Sequence, residues 1–257
     1  MDNGQVELVG MTDNPLARVY SAARTCYSES NTGEILKGTY IKDNMYDTRE
    51  EYEEALKKQA IKMENLVRKV FKSGHLSVSR HVNMTFSLNG FSRAIINQLE
   101  RHGVGVDFSQ QSTRYVTFDF NNISAGNVEE HYVMLEFKNL EQELLYRNSC
   151  LRSLNDYKKL IDSGMLAEDA RNILGLGFRT NVLATFNIQA LINFCSLRRC
   201  TNAQADIRFM ADEMAKLVVG KEPWLKPYLV AKCETLGYCN EMRPCGLHKT
   251  YEELVGE

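Results

Sequence analysis

The sequence predicts a single α/β (α+β) domain, and three observations carry that expectation. Apolar residues recur with the strand period in some segments and with the helix period in others. Only 4 of the 257 residues are proline, and no repeat, low-complexity run or linker divides the chain. At 44% apolar and 25% charged residues, the chain can bury one ample core.

The elements follow in order. "VELVGM" (6–11) reads as a short strand, and Asp13 or Asn14 caps a helix that carries Pro15 in its first turn. Residues 46–73 place Ala55, Ala60, Ile61, Leu66, Val67, Val70 and Phe71 on one amphipathic helix, which Ser73-Gly74-His75 stops. Val82, Met84, Phe86 and Leu88 alternate with polar residues, the mark of a strand with one buried face, and Asn89-Gly90 ends it. "FSRAIINQLERH" (91–102) reads as a helix with Ser92 as N-cap and Gly103 as its stop, and "TRYVTFDF" (113–120) as a return to strand. Residues 128–164 read as helix, "LAEDARNILGLG" (166–177) as a short helix closed by Gly175 and Gly177. "FNIQALINFCSLRR" (186–199) and "NAQADIRFMADEMAKLV" (202–218) complete the set. In the first of these, Ile188, Leu191, Ile192 and Cys195 make a core stripe.

Bulk properties exclude some functions. A net charge of −2 with scattered arginines argues against a nucleic-acid module or an acidic-membrane binder. No run is long and apolar enough to span a membrane, and the N-terminus lacks the pattern of a secretory signal. Seven cysteines without regular short spacing suit reduced thiols, so a cytoplasmic location is expected.

Three clusters carry chemistry. "GVGVD" (103–107) looks like a Gly-rich phosphate loop, but it follows a helix and lacks the third glycine of a dinucleotide fingerprint. Around it, Gln98, Arg101 and His102 precede Ser109, Gln110, Ser112 and Arg114. Such a set is either a solvated helix end and turn, or an anion and pyrimidine site in which guanidinium forks are extended by hydroxyls and amides. Asn187, Gln189, Asn193 and Arg198 fall off the core stripe of their helix, as interhelical hydrogen bonders or as ligands. Near the C-terminus, Cys233, Cys239, Cys245 and His248 form a candidate zinc set with five, five and two intervening residues, against the alternative of a reduced, thiol-bearing tail.

Arg101-His102-Gly103, eight residues, then Ser112-Thr113-Arg114-Tyr115 resembles the signature of the flavin-dependent thymidylate synthases (ThyX). "AARTCYS" (22–28), "SGHLSVSRHVNMTFSLNGFSRA" (73–94), "DARNIL" (169–174), "TFNIQALINFCSLRR" (185–199) and "NAQADIR" (202–208) resemble that family in the same order. The resemblance implies a mixed or antiparallel sheet with long helices, a catalytic domain over residues 1–225 with a Cys-containing tail over 226–257, and a homotetramer with shared sites. It implies reductive methylation of dUMP to dTMP, with FAD as cofactor and NAD(P)H and 5,10-methylenetetrahydrofolate as co-substrates. By the same resemblance dUMP is held by Gln98, Arg101, Gln110, Ser112, Arg114, Arg171 and Arg198, with Arg198 also stabilising charge at ring N3. FAD falls to Ser77, Arg101, His102, Gln110, Asn187, Gln189 and Asn193. No protein nucleophile is implied. His75 and His81 are read either as buried structural residues or, by resemblance, as neighbours of flavin and folate.

Four positions depart from the family pattern. Gly103 replaces the second signature arginine, with one added residue before Ser112. Gln189 replaces a flavin-binding arginine, Gly175 a proline, and Arg80 a common acidic residue. Nucleotide arginines 101, 114, 171 and 198 remain, so the changes gather on the flavin side, with Arg80 or Arg179 as candidate compensating cations. Alternative readings are a relative acting on another pyrimidine nucleotide and a nucleotide-binding oligomer with weakened catalysis.

Overall fold

The computed structural model describes residues 4–116, 118, 123, 124 and 126–256. Strand β1 (Gln5–Met11) leads to helix α1 (Pro15–Thr25), whose N-cap, Asn14, adopts a left-handed conformation with Pro15 after it. A short helix α2 (Thr32–Lys37) precedes α3 (Arg49–Lys72), which starts with a full capping box between Thr48 and Glu51. Its buried face is Met63, Val67 and Phe71, while Ile61 faces outward. A 3-10 segment, Leu76–His81, turns the chain into strand β2 (Asn83–Ser92).

β2 does not end at Asn89-Gly90. A register shift between Leu88 and Phe91 absorbs Gly90 at positive φ, and the strand resumes to Ser92. Ser92 then caps α4 (Arg93–Leu99) by accepting from the Ile95 amide. Gly103 is not the left-handed stop of that helix; Gly105, at φ +77°, takes the left-handed position in the turn before β3 (Val106–Gln110).

β3 and β4 (Arg179–Asn187) are strands that the sequence reading does not place. The strand expected over 113–120 is not formed at its described start: residues 113–115 make a turn, and Thr117 and residues 119–120 lie outside the described residues. The helix expected from residue 128 begins later, as α5 (Leu140–Asp162), after a single 3-10 turn at Val128–Glu130. The helix expected over 166–177 is brief, α6 (Ala167–Ala170) running into a 3-10 turn at Arg171–Ile173. Helices α7 (Ile188–Arg198) and α8 (Ala205–Lys221) match their patterns, and the tail adds α9 (Lys232–Leu236) and α10 (Tyr251–Val255).

The sheet has the order β1-β2-β4-β3, and all three pairings are antiparallel. Met84, Phe86 and Leu88 of β2 and Val182, Ala184 and Phe186 of β4 point to one face, where α4, α7 and α8 cover them. The opposite face is more polar, with a Thr85–Thr185 hydroxyl pair across the strands at 3.0 Å. A smaller core of Val128, Tyr132, Leu154, Tyr157, Ala170 and Phe178 fixes α5 and α6 beside the sheet. The start of β3, reached by the turn after α4, pairs with the end of β4, where α7 begins.

Candidate active site

The junction of β4 and α7 is built on Asn187. Its side chain accepts from the Ala190 amide at 2.9 Å, capping α7, while its backbone N–H donates to Gly105 at 3.0 Å. A Cβ on Gly105 would lie 2.3 Å from the Asn187 amide nitrogen, so glycine is required there by contact as well as by φ. Leu76, Arg80, Gly105, Asn187, Gln189 and Asn193 then line a cavity of about 400 Å³. Ser77 lies in a neighbouring cavity of about 540 Å³, together with Arg18, Ser21, Arg80 and His81. His75 and His81 are both exposed, which overturns the buried structural reading of either.

A second group forms where α4 and α7 end. Arg198 Nε donates to His102 Nε2 at 2.9 Å, so this imidazole is neutral and carries its proton on Nδ1. Burial, reinforced by the Arg198 charge, pushes the His102 pKa down from 6.5 to about 4. Burial and the nearby Arg101 charge in turn lower that of Arg198. Gln98 donates from the last turn of α4 to Gln204 at 2.7 Å. Arg101 and His102 follow the helix rather than belonging to it.

A third group lies past β3. Ser112 Oγ accepts from the Arg114 amide at 3.1 Å, and Arg114 pairs with Glu168 at the start of α6. Arg171 Nε donates to the Glu168 carbonyl at 3.0 Å. Gln110 donates to Thr180 at 3.4 Å. No hydrogen bond or ion pair joins this group to Arg198 and His102 among the described residues. Within one chain the expected nucleotide residues thus make two separately hydrogen-bonded groups.

Arg179 is no substitute for the missing flavin-side arginines. It donates to the Glu129 and Gly90 carbonyls at 2.9 and 2.8 Å, fastening β4 to the bulge of β2. Arg80 instead reaches Gln189, donating from Nε to Oε1 at 2.6 Å. Sequence spacing gives no sign of this pair, 109 positions apart.

Cys233, Cys239, Cys245 and His248 do share the wall of one cavity, about 480 Å³, with Cys200 as an unforeseen fifth member. Yet among the described residues no three His, Cys, Asp or Glu side chains converge to hold a metal, so the closed zinc set is not formed. Burial raises the thiols of Cys150, Cys195 and Cys233, an environment for inert thiols rather than for a nucleophile. No helix among the described residues is long and apolar enough to cross a membrane.

The fold and these clusters define an α+β protein with arginine groups suited to anionic ligands. Residues 7–224 match the family model described as thymidylate synthase complementing protein. The chain is 33% identical over 223 residues to the flavin-dependent thymidylate synthase of Geobacter sulfurreducens, covering 85% of this chain and 84% of that one. It is 32% identical over 259 residues to that of Thermococcus kodakarensis, covering 97% and 95%. Among solved structures, ThyX of Helicobacter pylori complexed with FAD and dUMP superimposes with TM-score 0.64 at 19% identity, covering 88% of this chain and 99% of that one. The UMP/dUMP methylase PolB of Streptomyces cacaoi gives TM-score 0.62 at 21% identity, covering 89% and 97%. These two share its fold. The chain belongs to the flavin-dependent thymidylate synthase family.

Proposed function

We propose that the protein catalyses reductive methylation of dUMP to dTMP, with FAD as cofactor and 5,10-methylenetetrahydrofolate and NAD(P)H as co-substrates. The observation that carries this reading is the Arg198–His102 hydrogen bond. A guanidinium fixed by a neutral imidazole beside Arg101 is preorganised for negative charge developing on a pyrimidine ring. Arg114, Arg171, Ser112, Gln98, Arg101 and Gln110 are assigned to the nucleotide's phosphate and sugar, for which guanidinium forks and hydroxyls are the fitting donors. Glu168 must release Arg114 as phosphate arrives.

The donors around the 400 and 540 Å³ cavities fit a flavin dinucleotide: amides at Asn187, Gln189 and Asn193, a close glycine backbone at Gly105, the Ser77 hydroxyl, and Arg80. Bound flavin supplies hydride chemistry. The chain itself orients the two ligands and holds Arg198 where charge develops.

We assign the homotetramer as the working unit, because a single chain leaves its nucleotide residues in two clusters. Exposed Leu140, Leu144 and Leu145 on α5 support this. Residues 1–225 form the catalytic domain in this reading, with 226–257 as a tail resting on it through contacts such as Asn202 to the Arg243 carbonyl. The expected cytoplasmic setting supplies the reduced nicotinamide.

The test is tritium release from ring-labelled dUMP, UMP and dCMP, with FAD, 5,10-methylenetetrahydrofolate and reduced nicotinamide present. Release from dUMP alone is expected. Release mainly from another nucleotide reassigns the substrate, and no release from any of them refutes the catalytic reading. Arg198→Ala is expected to lower turnover by about 10²–10³-fold, the scale for removing one preorganised charge-stabilising donor.

A further inference from the structure

Four of the flavin-assigned residues line two cavities that have separate walls but share one cationic side chain. Ser77 belongs to the larger, and Asn187, Gln189 and Asn193 to the smaller; Arg80 stands in both. It is the only one of the described residues that lines both.

The guanidinium of Arg80 is only partly engaged. Nε is given to the neutral Gln189 amide, no carboxylate among the described residues pairs with it, and neither Nη has a partner there. Both Nη groups are thus left as a fork, the geometry that meets two phosphate oxygens at once. The other cation of the larger cavity, Arg18, gives its Nε to the Asp13 carbonyl just before its helix and does not line the smaller cavity. The larger cavity also carries Ser21 in its wall, a residue 4% exposed whose hydroxyl has no hydrogen-bond partner. A buried hydroxyl left in that state points to a polar ligand that completes it. Arg80 and Gln189 are two of the four departures from the family pattern, and they touch. Where the resemblance implies a cation on α7 there is Gln189, and the cation stands across from it on the 3-10 segment.

We propose that Arg80 grips the diphosphate of a flavin dinucleotide that lies across both cavities, one end in each. This rests on the flavin reading above. Arg80 is exposed and bears on no core contact, so its removal is expected to leave the fold intact.

The experiment is a fluorescence titration of the full-length protein with FAD and with riboflavin, at low and moderate salt, with thermal melting as a control for folding. Arg80→Ala is expected to weaken FAD binding at least ten-fold, to flatten its salt dependence, and to leave riboflavin binding within two-fold. Arg80→Lys should recover part of the loss. Gln189→Arg added to Arg80→Ala should restore FAD affinity, returning the cation to α7. Unchanged FAD affinity and salt dependence in Arg80→Ala, or an equal loss for riboflavin, overturns the proposal. Where riboflavin binds too weakly to measure, the salt dependence decides. A wild-type protein that binds neither flavin refutes the flavin reading itself, and the role of Arg80 with it.

Discussion

His102 shows how one residue can serve two masters in this site. Its ring lies edge-on to Phe194, 5.1 Å between centroids, while Nε2 holds the Arg198 guanidinium. A protonated ring would repel the arginine and lose that acceptor. Because its folded pKa is depressed from 6.5 to about 4, the unfolded chain takes up this proton first as pH falls. The stability contributed by neutral His102 is therefore complete above pH 6.5 and is lost progressively towards pH 4. Urea unfolding at pH 7.5 and pH 5 should show a larger loss of midpoint in the wild type than in His102→Asn. Equal losses would mean that another group governs this window. Turnover should hold to lower pH than stability does and decline only as pH approaches 4, where the folded protein itself protonates His102, since Arg198 is held only by the neutral form.

At the scale of elements, the joint between β3, β4 and α7 concentrates the constraint. Gly105→Ala forces a Cβ into the Asn187 side chain at positive φ, and should destabilise the fold by about 1–3 kcal/mol. Asn187→Ala removes the cap of α7 and should cost about 1 kcal/mol. The two share a contact, so the double variant should cost less than the sum in denaturant unfolding. Strict additivity would argue against the joint.

Some of these elements were legible in the sequence and some were not, for physical reasons. β2 alternates cleanly and Ser92 caps α4 as its position predicts. β4 alternates equally well, with Thr180, Val182, Ala184 and Phe186 buried, but it runs into α7 with no turn residue between Asn187 and Ile188. Its last apolar residue was absorbed into the helix pattern. β3 was hidden by its own polar side chains: Asp107, Ser109 and Gln110 leave only Val106 and Phe108 as apolar signal. Most site residues, Arg101, His102, Arg114 and Arg198 among them, stand out by residue type and position, whereas their roles, and Ser77 and Arg171 altogether, come from the resemblance. The Arg80–Gln189 pair is beyond reach because only the folded chain makes it.

For the whole molecule, the apolar face of α5 makes the strongest demand. Leu140, Leu144 and Leu145 are 67%, 50% and 65% exposed on a 23-residue helix whose opposite side packs the small core. Covering each is worth about 1.5–3 kcal/mol, enough for three leucines to matter in an assembly. Leu144→Glu with Leu145→Glu should reduce the tetramer to smaller species in light scattering and abolish turnover, with helical content unchanged. A wild type that is monomeric at micromolar concentration would refute the shared-site account.

The Asn187 joint also says which parts of this protein are free to drift. Exchanging a residue that ends a strand, starts a helix and closes a turn is felt in all three. Arg80, Gly103, Gly175 and Gln189 carry no such burden: none lies in the core, and three of them are exposed. Of these positions, Arg80 and Gln189 stand in the wall of a cavity, where replacement changes its lining and not the scaffold. The fold thus behaves as a rigid socket with exchangeable contacts, and variation in its grip on a cofactor is open to selection at little cost in folding.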